Sequence, residues 1–264
     1  MTRDETIMAT DRIMVGIIGA GTIARAIIED LQASGAADVC YVLTSRSGRE
    51  RPSRLANVPW LTNPDEAVAR PVDLVIEAAV PEIFARLAPA VLEHSDFCGF
   101  SCTALADPML EAAVRDATAK SGRRLYVPHG AILGLDGLVD GRDVLERVVI
   151  TTTKSGKSFG LDPGASGVVF EGSTRDACRR FPRNVNVHAA IALAGLGFDK
   201  TRSRIVAVPN EPRMRHTIEV SGPGLEWTIQ VASQSLGGVT GSYTPASAAG
   251  SVRRIIDRSG VVIA

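Results

Sequence analysis

The sequence predicts an α/β protein: a doubly wound parallel sheet, a second α+β domain, and a C-terminal helix that returns to the first domain. Three observations predict it. An apolar run, Ile13-Met14-Val15-Gly16-Ile17-Ile18, leads directly into Gly19-Ala20-Gly21-Thr22-Ile23-Ala24. Strand-like and helix-like segments then alternate as far as Val127. Beyond Pro128 the chain changes to successive runs rich in β-branched residues. Alternating β and α segments build a parallel sheet with helices on both faces, whereas successive strand runs build an antiparallel one.

The first stretch carries the most chemistry. The apolar run suits a buried parallel strand, and G-x-G-x-x-A at its end is a dinucleotide-binding fingerprint. Gly19 permits a sharp turn out of the strand. Gly21 lets a pyrophosphate approach the backbone, and Ala24 lets the following helix pack closely on the sheet. Thr22 and Ile23 open that helix, whose unpaired N–H groups and positive dipole end suit an anion. Gly19, Gly21, Thr22 and Ile23 are therefore candidate cofactor contacts.

Ile23, Ile27 and Leu31 recur at helical spacing, and Ser34-Gly35 ends the helix. Val39 to Leu43 reads as the second strand. NAD enzymes usually place Asp or Glu at the end of this strand for the ribose 2′-OH. Here the chain reads Thr44-Ser45-Arg46-Ser47, with Arg49 and Arg51 nearby. Hydroxyls and guanidinium groups hold a 2′-phosphate that a carboxylate would repel, so Ser45 and Arg46 point to NADP, with NAD possible.

Leu55 to Ala69 predicts a short strand or loop and a helix. Val72 to Ala79 is the next strand, Pro81 to His94 a helix with Ile83, Leu87, Ala90 and Val91 on one face. Asp96 to Ser101 is a strand, Leu105 to Lys120 a helix with Leu110, Ala113, Val114 and Ala117 inward, and Arg124 to Val127 the last strand of this half. Strand ends lie beside the ligand in open α/β sheets, which brings Ala78, Ala79 and Ala104 towards the cofactor. Val148 to Thr153, Val168 to Phe170, Arg204 to Val208, His216 to Val220 and Trp227 to Val231 predict a mainly antiparallel sheet with one helix near Val187 to Leu196. Pro245 to Arg258 is helical in pattern. The expected division is residues 1–127 with 244–264 as the dinucleotide-binding domain and residues 128–243 as the substrate and dimerisation domain. Several strands against one helix leave a sheet face uncovered, which predicts a homodimer.

Composition bounds the function. The chain has 264 residues, 45% of them hydrophobic, with 29 basic and 29 acidic side chains. Zero formal charge gives no field for nucleic acid or a membrane surface. No apolar run approaches the roughly 18 residues of a membrane span. Met1 to Arg12 mixes both charges and lacks the apolar core of a secretory signal, so a loose leader and a cytoplasmic protein are expected. Cys40, Cys98, Cys102 and Cys178 fit neither a zinc site nor a disulfide framework, so no metal and reduced thiols are expected.

Five further stretches appear in order: Glu77-Ala78-Ala79, Ser101 to Asp107, Pro128 to Asp136, Phe170 to Ser173 and Phe181 to Val187. In these, and over nearly its whole length, the chain resembles the L-aspartate dehydrogenase family. Its most specific parts are F-P-x-N-x-N-V and G-A-I-x-G-L-D. The resemblance implies a Rossmann domain joined to a mixed α/β substrate domain, usually as a homodimer. It implies NAD(P)-dependent oxidation of L-aspartate to iminosuccinate, which hydrolyses to oxaloacetate and ammonia, or the reverse. It puts Ala131 and Asn186 on cofactor contacts and His216 on the family's catalytic histidine. A histidine suits that position because the imine must gain water and a proton must move. His188 is the second choice, and His94 reads as a solvated or capping residue. A dicarboxylate needs cations, for which Lys154 and Lys157 stand where the family has a basic residue, with Arg183 and Arg215 as further options. His129 stands where the family has Ser, Met214 where it has Asn, and Val208 where it has Asp; His129 is an added candidate for the substrate. A related reductase of the dihydrodipicolinate-reductase or homoserine-dehydrogenase kind and a catalytically silent NADP-binding sensor are the alternatives.

Overall fold

A computed structural model describes residues 12–45, 55–236 and 240–257 of the chain. Arg46, Arg49 and Arg51 lie outside the described residues, as do residues 1–11. The first half contains β1 (Ile13–Ile18), α1 (Thr22–Ser34), β2 (Ala37–Leu43), β3 (Trp60–Leu61), α2 (Pro64–Val68), β4 (Leu74–Glu77), α3 (Pro81–Val91), β5 (Asp96–Gly99), α4 (Pro108–Ser121) and β6 (Leu125–Tyr126). The strands form a parallel sheet in the order β3-β2-β1-β4-β5-β6. The order reverses at β1, so the crevice of a doubly wound sheet opens between the ends of β1 and β4.

Strand pleating divides the apolar residues between two layers. Val15, Ile17, Leu74, Ile76 and Cys98 meet Ala24, Ile27 and Leu31 of α1 on one face, together with Ala248, Val252 and Ile256 of α9 (Thr244–Ile256). The C-terminal helix therefore returns to the first sheet, where Arg253 pairs with Asp30 of α1 at 2.9 Å. Val75 and Phe97 point the other way and meet Phe84, Leu87 and Val91 of α3.

Two helices differ from expectation in detail. The buried face of α3 includes Phe84 and Ala88 rather than Ile83 and Ala90. The segment from Leu105 to Lys120 is not one helix: a 3₁₀ turn, Cys102–Ala106, comes first. Pro108 then starts α4 anew, capped by Asp107, whose side chain accepts the Met109 N–H. Proline lacks an N–H and fits a first helical turn, not the middle of one. Ala113 consequently faces solvent.

The second half contains α5 (Leu135–Asp140), β7 (Arg147–Lys154), β8 (Gly167–Ser173), α6 (Thr174–Arg180), α7 (Asn186–Ala194), α8 (Gly197–Lys200), β9 (Arg202–Ala207), β10 (Arg213–Gly222) and β11 (Leu225–Gln234). Its sheet runs β11-β10-β7-β9-β8, antiparallel except for β7 with β9. The single expected helix is α7, but α5, α6 and α8 join it on the same face. They have 6, 7 and 4 residues, too few for a 3.6-residue period to register in sequence. Ile150, Ile205 and Ile218 of the sheet share one core with Leu138, Cys178, Ile191 and Phe198 of these helices. On the opposite face Thr151 and Thr217 are half-buried, and Thr228 and Gln230 are exposed.

Gly19 closes the β1–α1 turn at φ 109°, a left-handed conformation open to glycine, and its N–H donates to Leu43 O at 2.8 Å. A Cβ there would collide with the carbonyl oxygen of Ala78. Gly19→Ala is expected to lower unfolding free energy by about 2 kcal/mol or more, from backbone strain plus overpacking. A denaturant titration showing an unchanged midpoint would contradict this account of the turn.

Candidate active site

One cleft runs from the ends of β1 and β4 to the inner face of the second sheet. The start of α1 forms one wall with Gly21, Thr22 and Ile23, and Ala78 and Ala79 follow β4 beside them. The loop after β6 contributes His129 and Ala131, and α7 contributes Asn186. Lys154 at the end of β7 and His216 on β10 form the far wall, with Arg183 and Asn184 from the turn before α7. No carboxylate lines this cleft among the described residues.

The nucleotide end has the shape a pyrophosphate needs. No side chain caps the N-terminus of α1, and its first turn holds no acidic residue. The orphan N–H groups and the positive dipole end are left to a ligand. A Cβ on Gly21 would meet nothing within 4 Å, so the space above it is open. The residues present therefore fit a dinucleotide. A second groove continues past Gly19 and Gly21 to Ser45, which is exposed at the end of β2. None of the described residues lining that groove carries a carboxylate.

A buried carboxylate supports this wall from behind. Glu77, at the end of β4, is fully buried. It accepts the Ala79 N–H at 2.7 Å, the Ser101 N–H at 3.0 Å and the Ser101 hydroxyl at 2.8 Å. These bonds join the two turns that follow β4 and β5. Burial pushes the carboxyl up to about 7, against the pull of those donors.

The far wall is dominated by two buried bases. Lys154 is 2% exposed. Its Nζ donates to Asn184 Oδ1 at 2.8 Å and lies 4.4 Å from the centre of the Phe159 ring. Desolvation lowers its pKa to about 8, which leaves it cationic at neutral pH. His216 is 5% exposed, with Nδ1 2.8 Å from Thr152 Oγ1. Burial, then the nearby Lys154 charge, pushes its imidazole down to about 4. The ring is thus a neutral base at neutral pH, where a free imidazole would titrate close by. His129, half-buried, is also lowered by burial; its Nδ1 is 3.4 Å from Ser247 Oγ of α9.

Five residues singled out from the sequence lie elsewhere. His188 is fully buried, with Thr152 on Nε2 at 2.7 Å and Ser203 on Nδ1 at 2.9 Å, so it does not reach the cleft. Ala104 sits in the 3₁₀ turn and packs against the core. Lys157 follows β7 in a 3₁₀ turn away from the cleft lining. Arg215 belongs to the open face of its sheet, 3.8 Å from Glu211. His94 follows α3 and bonds Ser95 at 2.9 Å, remote from the cleft. Sequence reasoning missed Asn184 and Thr152. Asn184 was visible inside F-P-x-N-x-N-V but carried no mark of a lysine partner. Thr152 looked like any alternate residue of a β-branched strand.

Known proteins resemble the chain over both of its halves. Residues 136–255 match the family model "Aspartate dehydrogenase, C-terminal", and residues 19–128 match "Homoserine dehydrogenase, NAD binding domain". The chain is 33% identical over 224 residues to an L-aspartate dehydrogenase of Archaeoglobus fulgidus, covering 84% of this chain and 88% of the relative. It is 35% identical over 233 residues to an L-aspartate dehydrogenase 2 of Bordetella bronchiseptica, covering 83% and 87%. Among solved structures, aspartate dehydrogenase from Thermotoga maritima superposes with a TM-score of 0.77 at 28% identity, over 96% of this chain and 100% of that one. A homoserine dehydrogenase of S. aureus, at 11% identity and a TM-score of 0.56, shares the fold alone. With relatives above 30% identity matched over most of their length, the chain belongs to the L-aspartate dehydrogenase family.

Proposed function

We propose that this protein oxidises L-aspartate to iminosuccinate, which water converts to oxaloacetate and ammonia, and that the reverse amination uses the same groups. The observation that carries this is the pairing, in one cleft with no carboxylate among its described residues, of a dinucleotide-shaped helix N-terminus with Lys154 and His216. A nicotinamide cofactor supplies the hydride acceptor when bound. Gly19, Gly21, Thr22 and Ile23 hold the pyrophosphate, Ala78 and Ala79 flank the cofactor, and Ala131 and Asn186 are further contacts.

Lys154 and Arg183 answer the two carboxylates of the substrate, as charge-assisted donors in a largely desolvated cleft. His129 adds a polar group beside them. Lys154 is charged below about pH 8 and loses its charge as pH rises through that value, so this hold weakens on the alkaline side. His216 takes the proton from the water that adds to the imine carbon. An arriving dicarboxylate offsets the Lys154 charge and raises the proton affinity of His216, so its base strength increases when substrate is present.

NADP is the preferred cofactor in this reading. Support comes from Ser45 at the end of β2, the groove beside it with no carboxylate among its described residues, and Arg46 next in the chain. The cofactor-binding domain is residues 1–127 with 244–264, and residues 128–243 form the substrate domain, whose open sheet face pairs in a cytoplasmic homodimer. None of the described helices is long and apolar enough to cross a membrane.

Two measurements test this. His216→Ala is expected to lower kcat by roughly 10²–10⁴ while cofactor affinity stays the same, because proton transfer acts in the transition state. Full activity in that variant would remove His216 from the mechanism. Separately, NADPH is expected to bind at least several-fold tighter than NADH, and Arg46→Ala to weaken NADPH alone by about 1–3 kcal/mol. Equal affinities for the two cofactors would overturn the preference.

A further inference from the structure

Behind His216 a file of polar side chains crosses the layer between the second sheet and its helices. His216 Nδ1 lies 2.8 Å from Thr152 Oγ1, and Thr152 Oγ1 lies 2.7 Å from His188 Nε2. His188 Nδ1 lies 2.9 Å from Ser203 Oγ, and Ser203 Oγ 2.8 Å from Thr174 Oγ1. The Thr174 hydroxyl donates to the Thr201 carbonyl at 3.1 Å. Thr152, His188, Ser203 and Thr174 are all fully buried, so no solvent enters the file to reset its protons.

The file has a direction. Each hydroxyl and each neutral imidazole has one proton to donate, and the carbonyl at the end only accepts. Once Thr174 donates to that carbonyl, Ser203 donates to Thr174, and His188 donates its Nδ1–H to Ser203. Thr152 then donates to His188 Nε2, and His216 donates its Nδ1–H to Thr152. This direction makes all five hydrogen bonds. The reverse direction makes four, because the Thr174 proton is then turned towards Ser203 and its bond to the carbonyl is lost. In a dry interior the direction with no unmade bond is the stable one.

We propose that Thr152, His188, Ser203 and Thr174 are positioning residues, anchored in polarity by the Thr201 carbonyl, that hold His216 in its Nδ1–H tautomer with Nε2 unprotonated towards the cleft. The proposal rests on the reading of His216 as the acid–base residue. It assigns the resting enzyme a proton acceptor at that site, the form needed for water to add to an imine. A carbonyl takes a hydrogen bond but not a proton, so the file orients His216 and does not conduct protons away from it. The charges facing His216 agree with this. Lys154 of β7 and Arg183 of the turn before α7 share its cleft, His129 faces it from the loop after β6, and His188 packs behind it from α7. Burial above all, with the Lys154 charge beside it, keeps the imidazole rings of His216 and His188 uncharged at neutral pH, each with one proton to place.

The test is ¹⁵N NMR of the cofactor-free full chain labelled in histidine, at neutral pH. His216 is expected to show a protonated Nδ1 and an unprotonated Nε2, and His188 the same. Thr152→Val removes the hydroxyl at nearly constant volume. It is expected to shift His216 towards the Nε2–H tautomer and to lower kcat for L-aspartate oxidation roughly tenfold to a hundredfold with cofactor KM unchanged. Thr152→Ser is expected to restore both. Ser203→Ala breaks the file one step further back and serves if Thr152→Val does not fold. A protonated Nε2 in the unaltered protein would overturn the proposal, as would an unchanged His216 spectrum in a folded Thr152→Val or Ser203→Ala variant. The expected spectra without any turnover of L-aspartate would support the tautomer and remove the functional reading instead.

Discussion

The cleft depends on a junction between two sheets that share no strand. The turn after β5 meets the first residue of α7 and the turn before it through three hydrogen bonds. Thr103 N–H donates to Asn186 Oδ1 at 3.2 Å, the Thr103 hydroxyl donates to Pro182 O at 2.7 Å, and the Cys102 thiol donates to Asn186 O at 3.2 Å. The first sheet carries the helix end that suits a dinucleotide, and the second carries Lys154 and His216. A reaction between a cofactor and a substrate needs both sets at fixed separation, because displacement of an ångström is costly in rate. Asn186 is therefore tied to the cofactor half by its side chain and begins the helix that covers the substrate half. Glu77 acts in the same sense on the other side, since its carboxylate holds the turns after β4 and β5 together.

The second constraint is electrostatic. The far wall concentrates Lys154, Arg183 and His216, with His129 nearby on the loop after β6, without a balancing carboxylate among the described residues of the cleft. Burying a cation is unfavourable unless something answers it. Among the described residues, Lys154 is answered by an amide oxygen and an aromatic face. Such a wall is incomplete electrostatically until an anion arrives, which suits a doubly negative substrate. Burial, and after it the Lys154 charge, keeps His216 neutral, so the group that binds the substrate also helps to set the state of the base.

Much of this was legible in the sequence, and what was not has physical reasons. The β1 run, the G-x-G-x-x-A turn and the alternation to Val127 announced the parallel sheet because long buried strands and small-residue turns have strong local signatures. The short helices α5, α6 and α8 left no trace, since less than two turns gives no period, and Pro108 restarted a helix that looked continuous. Among the candidates for the site, Gly21, Thr22, Ile23, Ala78, Ala79, Ala131, Asn186, His129, Lys154 and His216 do line the cleft. His188 does not, although it stands only two residues after Asn186: side chains two apart on a helix point to roughly opposite sides, and His188 turns inward. Its real partners, Thr152 and Ser203, lie on other strands, and such pairings are tertiary information that spacing does not carry. Thr152 in particular is one of three consecutive threonines, distinguished from Thr151 and Thr153 only by the face of β7 it occupies.

The central claim is that this cleft oxidises L-aspartate. The most direct measurement follows reduced-cofactor absorbance when the purified protein is given L-aspartate and oxidised NADP, with NAD, D-aspartate and L-glutamate in parallel. The account predicts cofactor reduction with L-aspartate, faster with NADP than with NAD, and oxaloacetate and ammonia formed in equal amounts. No reduction of either cofactor by L-aspartate, in a protein that binds NADPH, would contradict it.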